Sequence, residues 1–222
     1  MNVVYTVTKD YVPKIMPSLR SLLKHNPKAR VFLLTETDTV DAPVEVINIS
    51  GQKWFPESGV NYHNMFTYVN LLKVVYPEIL PLNKVIHLDA DTIVCDSLEP
   101  LWKTDLKNKW IGAVPEFKGH YKPFGQTYYN MGVAVLNLAQ MRKDGVVPWM
   151  VDYLNTVRQP WADQDAFNKP GIEQGKIVPV DVRFNESMVT GETDNPAVVH
   201  YCAVINWWQG HMHRGELLEQ YR

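Results

Sequence analysis

Cysteine is scarce in this chain of 222 residues, which contains only Cys95 and Cys202. The two lie far apart and have the spacing of neither a metal-binding motif nor a redox motif. Whether the two form a disulfide stays an open question at this point. So few cysteines nevertheless favour a largely reduced protein, and we expect a cytoplasmic location.

Long apolar runs and an excess of charge of either sign are also lacking. No segment approaches the length of a membrane span, and the N-terminal sequence MNVVYTV begins like a strand rather than a signal peptide. The formal net charge is −2 and the pI about 6.4, so no overall field recruits nucleic acid or an acidic membrane. The composition therefore predicts a soluble, non-secreted protein.

Repeats, low-complexity segments and a linker between two domains are absent as well, and 45% of the residues are hydrophobic. That composition and length suffice for a substantial core. We expect one domain over residues 1–222, with residues 211–222 forming a polar helical tail. The oligomeric state is not predicted.

The order of apolar periodicities predicts strands alternating with helices. Strands are expected over residues 2–8, 30–35, 44–49, 84–88, 110–115, 131–138, 176–182 and 198–204. Helices are expected over residues 12–25, 62–76 (ended by Pro77), 97–102, 139–158 and 162–167. This alternation predicts an α/β fold, a three-layer α/β/α sandwich with a mostly parallel central sheet. Such sheets bind ligands at the carboxyl ends of their strands.

Two aspartates follow the predicted strand in the sequence VIHLDADTIV, residues 85–94. Residues i and i+2 of a strand point to the same face, so Asp89 and Asp91 are expected to project together. A divalent cation would neutralise their mutual repulsion, whereas the alternative is a turn with solvated acids. His87 is nearest to the pair and is expected to face the opposite side of the strand.

His200 is the best candidate for a third metal ligand because it follows the apolar run of another strand. The alternative for such a residue is a hydrogen-bonded core histidine. Two carboxylates and an imidazole would suit Mn²⁺ or Mg²⁺ and leave room for phosphate oxygens.

Two further polar groups stand at element starts. Asn130 precedes Gly132 where a strand begins, and its amide suits a hydroxyl-rich ligand, although both residues are also common in turns. Asp163, Gln164 and Asp165 begin a helix, where they would serve either as capping acids or as groups presented to a reacting sugar.

Taken together, these motifs resemble those of the retaining glycosyltransferases of family 8, which include glycogenin and the bacterial lipopolysaccharide galactosyltransferases. The resemblance runs from the first strand to about Trp208. It rests on an ordered set: an N-terminal strand followed by a tyrosine, then LDAD, NMGVAVLNL, DQD and HY with a terminal tryptophan. It implies a GT-A fold and transfer of a hexose from a UDP-sugar, UDP-glucose or UDP-galactose, with Mn²⁺ as cofactor and Mg²⁺ as an alternative.

The resemblance also implies roles by position. Asp89, Asp91 and His200 would ligate the cation, and Lys73 and Ala90 would meet the donor. The segment that would hold the uracil contains Thr6, Thr8, Asp10 and Tyr11, with Tyr11 as the stacking ring. Asn130, Asp163 and Gln164 would surround the transferred sugar. Retention would come from a covalent intermediate on Asp163 or from attack on the front face, and we favour the front face.

One departure concerns the diphosphate. The family pattern H-x-x-G-x-x-K-P-W becomes HYCAVINWW here, so Ala203, Asn206 and Trp207 replace glycine, lysine and proline. Asn206 occupies a donor-binding position but cannot neutralise diphosphate. The candidates to replace the lost cation are Lys118, Lys122 and Arg214.

Two alternative functions follow. The first is a nucleotide-sugar-binding protein of the same fold without turnover, which the asparagine at position 206 motivates. The second is a phosphatase of the haloacid dehalogenase type, because HLDADTIV also fits the D-x-D-x-T strand motif of that family, with the first aspartate as nucleophile.

The short tail lacks the extended basic and aromatic C-terminus of membrane-associated members of the family, so we expect a soluble acceptor, such as a glycan, a protein or a small molecule. The loop of residues 116–126, which contains Tyr121, is either a lid over donor and acceptor or an ordinary surface loop.

Overall fold

The structure is a computed structural model that describes residues 1–117, 127–202, 207 and 214–222. Its strands are β1 (Asn2–Thr6), β2 (Arg30–Thr35), β3 (Glu45–Asn48), β4 (Lys84–Leu88), β5 (Thr92–Val94), β6 (Ile111–Pro115), β7 (Tyr129–Asn137), β8 (Ile177–Pro179) and β9 (Val198–His200). Its α-helices are α1 (Met16–His25), α2 (Thr67–Leu71), α3 (Tyr76–Ile79), α4 (Glu99–Trp102), α5 (Leu138–Asp144), α6 (Val147–Thr156), α7 (Asp163–Glu173) and α8 (Gly215–Glu219). Short 3₁₀-helices cover Lys9–Ile15, Leu72–Val75 and Val182–Phe184.

Seven strands form the central sheet in the order β3-β2-β1-β4-β7-β6-β8. Neighbouring strands run parallel except at β7, which is antiparallel to both β4 and β6. The α/β fold with a mostly parallel sheet is thus confirmed. The carboxyl ends of β1, β4 and β6 and the start of β7 lie at one edge of this sheet.

The structure also contains a second sheet, which was not predicted from the sequence. β5 pairs with β9 in an antiparallel ribbon of two strands, with Thr92 opposite His200. The expected strand over 198–204 therefore ends at His200 and belongs to this ribbon, as far as the described residues go. Segments of three residues are too short to show a period of two, so only pairing defines them.

The helix expected over 62–76 is instead three short pieces: α2, a 3₁₀ turn and α3. Pro77 does not end it, because this proline lies in the first turn of α3. A first-turn residue needs no backbone N–H, so proline is tolerated there. The 3₁₀ turn carries Lys73 toward the sheet edge.

Two apolar layers cover the two faces of the sheet. Val4 of β1 packs into one cluster with Tyr76 and Phe167, whereas Val3 and Tyr5 pack into the other with residues of α1. Because neighbouring strand residues face opposite sides, β1 contributes to both layers. This arrangement confirms the three-layer sandwich.

The tail contributes to a smaller cluster beside the second sheet. Leu218 of α8 and Tyr221 are buried there with Trp207 and Tyr201. The tail is thus less polar than predicted, and residues 211–213 lie outside the described residues. Within the described parts of the chain, none of the helices has the length and apolar character needed to cross a membrane.

Candidate functional site

Asp89 and Asp91 lie directly after β4, at the carboxyl edge of the central sheet. Pairing of β5 with β9 brings His200 beside them. The Nε2 atom of His200 lies 3.3 Å from Oδ1 of Asp91 and 3.9 Å from Oδ2 of Asp89. Ligand atoms of all three residues lie within 4.8 Å of one another. The structure therefore brings the three predicted metal ligands together.

The ring of His200 is held by the side-chain amide of Asn185, which is held in turn by Asn130. Its Nδ1 lies 2.9 Å from Oδ1 of Asn185, and Nδ2 of Asn185 donates to Oδ1 of Asn130 at 2.9 Å. Since the Asn185 oxygen accepts, Nδ1 carries the hydrogen, and in the neutral ring Nε2 presents its lone pair to the acids. An imidazole lone pair and two carboxylates fit a divalent cation such as Mn²⁺ or Mg²⁺.

Protonation of the same ring is the competing state. Burial lowers the pKa of His200, but Asp91 and Asp89 outweigh burial, so the pKa is raised above its usual value. The two carboxylates thus favour a positive charge at Nε2, which either a proton or a metal ion supplies.

Gly132 gives the ring of His200 its space. A Cβ atom at position 132 would lie 2.0 Å from Cε1 of His200, far inside van der Waals contact. Only glycine fits there, which explains the glycine of the NMGVAVLNL motif at this position.

Lys73 is buried between two carboxylates. Its Nζ lies 2.6 Å from Oδ1 of Asp89 and 3.1 Å from Oδ2 of Asp163. Burial lowers the pKa of Lys73, yet Asp163 and Asp89 outweigh it and raise the pKa, so the ammonium stays charged. Burial opposes ionisation of Asp89, but Lys73 and His87 hold its pKa well below the usual range. For Asp163, burial dominates and raises the pKa to about 6.

His87 also contacts the acid pair, so the prediction that it faces away was wrong. Its Nε2 lies 2.9 Å from Oδ1 of Asp89 and its Nδ1 lies 3.0 Å from the hydroxyl of Tyr76. Residues 87 and 89 are two apart on an extended chain and therefore share a face. Burial, aided by the charge of Lys73, lowers the pKa of His87 to about 4, so the ring is neutral near pH 7.

Asn130 and Gln164 meet at Glu116, a residue that the sequence does not mark as part of the site. Nδ2 of Asn130 and Nε2 of Gln164 donate to the same Glu116 oxygen, at 3.2 and 3.1 Å. Oε1 of Gln164 accepts from the backbone N–H of Met131 at 3.0 Å. Glu116 was assigned to a loop, although its place directly after the strand that became β6 was a signal that it lies at the site edge.

The three polar residues at the start of α7 have different environments. Asp163 faces Lys73, whereas Asp165 accepts from the Tyr128 hydroxyl at 2.7 Å and from the backbone N–H of Trp161 at 2.8 Å. Asp165 therefore has the structural role that the capping alternative anticipated. Ala162, just before Asp163, has a φ of 45°, a left-handed conformation that costs a non-glycine residue about 1 kcal/mol or more.

The predicted uracil segment is only partly available to a ligand. Thr6 is buried, and its hydroxyl is hydrogen-bonded to Tyr76. Asp10 is exposed and lines an open groove of about 350 Å³ together with Thr37 and Thr39. The hydroxyl of Tyr11 accepts a hydrogen bond from Nε1 of Trp207 at 3.0 Å, and Nζ of Lys14 lies 4.8 Å from the Tyr11 ring centre.

Of the remaining predicted residues, Thr8 and Ala90 are partly buried, Thr8 after β1 and Ala90 between the two acids. Asn206, Ala203, Lys118, Lys122 and most of the proposed lid, including Tyr121, lie outside the described residues. Arg214 does not replace the missing lysine, because its guanidinium is paired with the buried carboxylate of Glu186 and donates to the backbone oxygen of Thr193.

Comparison with known proteins identifies relatives over nearly the whole chain. The sequence model of glycosyl transferase family 8 matches residues 2–211. A putative glycosyltransferase of Haemophilus influenzae is 25% identical over 247 aligned residues, which cover 94% of this chain and 73% of that protein.

Solved structures agree on the fold. An active-site mutant of LgtC superimposes with a TM-score of 0.75 at 21% identity, covering 100% of this chain and 95% of that chain. The galactosyltransferase LgtC in complex with donor and acceptor sugar analogues gives a TM-score of 0.68 at 23% identity, with the same coverage. The GT-A fold predicted from the sequence is confirmed.

Proposed function

Because the chain belongs to glycosyltransferase family 8, we propose that it transfers a hexose from UDP-glucose or UDP-galactose to an acceptor hydroxyl with Mn²⁺ and with retention. The observation that carries this proposal is the cluster of Asp89, Asp91 and His200, with the histidine lone pair directed at the acids. The family assignment makes the phosphatase alternative wrong. The Haemophilus influenzae relative is likewise a putative glycosyltransferase.

In this proposal, Asp89, Asp91 and His200 would hold Mn²⁺, or Mg²⁺ in its place. A divalent cation there would stabilise the negative charge that develops on the leaving diphosphate. The positive charges of Lys73 and of the cation would together balance the negative charges of Asp89, Asp91 and Asp163, so these three acids would not need to be protonated.

Donor recognition is proposed to extend from Ala90 and Lys73 toward β1. Asp10 and Tyr11 are the members of the uracil segment with exposed or half-exposed side chains, so they would contact the base, with Thr8 beside them. Thr6 would act through Tyr76 rather than by direct contact. Asn206 would meet the diphosphate as a neutral hydrogen-bonding group.

The transferred sugar would lie against Asn130, Asp163 and Gln164. Carboxylate and amide oxygens stabilise the positive charge that develops on the sugar ring in such reactions. We favour attack on the front face, because Lys73 lies within 3.1 Å of the Asp163 carboxylate and reduces its nucleophilicity. The acceptor hydroxyl would then lose its proton to the departing diphosphate.

The remaining proposals concern the acceptor, the cellular location and the extent of the domain. We propose a glycan, a protein or a small molecule as acceptor, a cytoplasmic location and one domain over residues 1–222.

A donor screen tests the proposed function. Purified protein is mixed with UDP-, GDP- and ADP-sugars, with Mn²⁺ or with a chelator, and nucleotide release and thermal unfolding are followed. We expect stabilisation and slow nucleotide release with UDP-glucose or UDP-galactose and Mn²⁺ only. Binding of UDP and Mn²⁺ without product would instead indicate a protein that binds the donor without turnover, and no response to any UDP-sugar would refute the proposal.

Replacing Gly132 by alanine is expected to weaken Mn²⁺ binding by at least about 10–100-fold, because displacing a metal ligand should cost no less than removing a group that orients one. The added Cβ would force the ring of His200 away from the acids. Calorimetric titration with Mn²⁺ measures the effect. Gly51→Ala is the matched control, since its Cβ would meet nothing within 4 Å. Unchanged affinity in G132A would show that His200 does not bind the cation.

A further inference from the structure

A line of hydrogen-bonded side chains leads from β1 to the acid pair. The Thr6 hydroxyl bonds to the hydroxyl of Tyr76, which lies 3.0 Å from Nδ1 of His87. Nε2 of His87 lies 2.9 Å from Oδ1 of Asp89. Thr6, Tyr76 and His87 are 5%, 0% and 2% exposed, so water does not compete for these bonds.

The direction of each bond in this line follows from its last member. The Asp89 carboxylate only accepts, so Nε2 of His87 carries a hydrogen. In the neutral ring, Nδ1 then accepts, and the Tyr76 hydroxyl must donate to it. The oxygen of Tyr76 is left to accept from the hydroxyl of Thr6. All three hydrogens therefore point toward Asp89.

The two oxygens of the Asp89 carboxylate have different partners. Oδ1 accepts from Nζ of Lys73 at 2.6 Å and from Nε2 of His87 at 2.9 Å. Oδ2 is the oxygen nearer to His200, at 3.9 Å from Nε2. We propose that His87, oriented by Tyr76, is a positioning residue that fixes the Asp89 carboxylate so that Oδ2 alone binds a divalent cation. The inference rests on the proposed function, which places a cation at this site.

A histidine contributes something here that Lys73 does not. The ammonium of Lys73 is shared with Asp163 and constrains direction weakly, because its three donors rotate about a flexible stem. The planar ring of His87 is fixed at both nitrogens and donates along one line. Its hydrogen bond to Asp89 therefore fixes the orientation of the carboxylate as well as its position.

The test measures Mn²⁺ affinity directly, by calorimetry on the full chain, so that it does not depend on turnover. We expect His87→Phe to weaken Mn²⁺ binding by about 10–100-fold, as is typical when the partner of a metal ligand is removed. His87→Gln, which restores an N–H donor, should recover part of the loss. Tyr76→Phe keeps the ring but removes the orienting hydroxyl, and we expect a smaller loss.

Tyr221→Phe is the matched control. It breaks another tyrosine–histidine hydrogen bond, between the Tyr221 hydroxyl and Nε2 of His25 at 3.0 Å, in the tail rather than at the acids. Mn²⁺ affinity should be unchanged in this variant.

Three outcomes separate the possibilities. Wild-type Mn²⁺ affinity in H87F or Y76F, with only reduced unfolding stability, would overturn the inference and leave a purely structural role. If H87F does not fold, Y76F decides the question by the same criterion. If the wild-type protein itself binds no Mn²⁺, the proposed cation site and this inference both fail. That outcome differs from one in which the wild-type protein binds Mn²⁺ and the variants bind it equally well, which refutes the inference alone.

Discussion

Replacing Asp91 by asparagine is expected to reduce kcat/KM for sugar transfer by more than about 100-fold while the protein stays folded. Loss of an orienting partner of a metal ligand already costs about 10–100-fold, and loss of a charged ligand should cost more. Asp91 contacts Nε2 of His200 at 3.3 Å, and its side chain is 24% exposed. Its charge is thus directed at the cation site, and asparagine keeps the size and shape of the side chain.

Two measurements check this prediction. Turnover of the donor identified by the screen is followed at increasing Mn²⁺ concentration, and unfolding in urea is followed in parallel. Asp105→Asn is the control, because Asp105 is an exposed acid paired with Lys107 at the surface. Mn²⁺-dependent turnover that survives in D91N at more than a tenth of the wild-type rate would exclude Asp91 as a ligand.

The parts of the site that follow from strand periodicity were predictable from the sequence. β4 has an apolar run that ends at two acids, and alternation alone places Asp89 and Asp91 on one face. The same argument, applied without error, would have placed His87 there too. The sheet type followed from the alternation of strands and helices, although β7 runs against its neighbours because β6 and β7 form a hairpin-like pair.

Other parts depend on contacts between residues distant in sequence. His200 was selected as a ligand by its position after an apolar run, but its approach to the acids requires the β5–β9 pairing, which three-residue strands do not reveal. Asn185 and Glu116 lie outside strands and helices and carry no periodic signal, yet one orients His200 and the other joins Asn130 to Gln164. Lys73 was placed only through the family resemblance, since a lysine in a run of apolar residues gives no indication of its partner.

Lys73 also leads to the largest expected effect on stability. Replacing Lys73 by methionine should lower the free energy of unfolding near pH 8 by about 3–5 kcal/mol, the cost of removing one partner from a buried ion pair. Two carboxylates, Asp89 and Asp163, would then share a site without the ammonium that now lies within 3.1 Å of both. For a domain of this size we expect the melting temperature to fall by about 6–20 °C.

The pH dependence identifies the cause of that loss. Lys73 helps to hold the pKa of Asp89 in the folded protein below its usual range. The resulting stabilisation is present at a pH above the pKa that Asp89 has in the unfolded chain, and it is lost as the pH falls through the pKa that Asp89 has in the folded protein. In K73M the buried carboxyls take up protons more readily, and the difference from wild type should shrink between pH 8 and pH 5. Urea unfolding at several pH values measures this difference, and K73M combined with D163N should recover part of the stability.

Lys103→Met is the control. It breaks an exposed pair with Glu99 and should lower the free energy of unfolding by less than about 1 kcal/mol at any pH. A loss in K73M that is equally small, or independent of pH, would show that Lys73 is not the charge that balances the two acids.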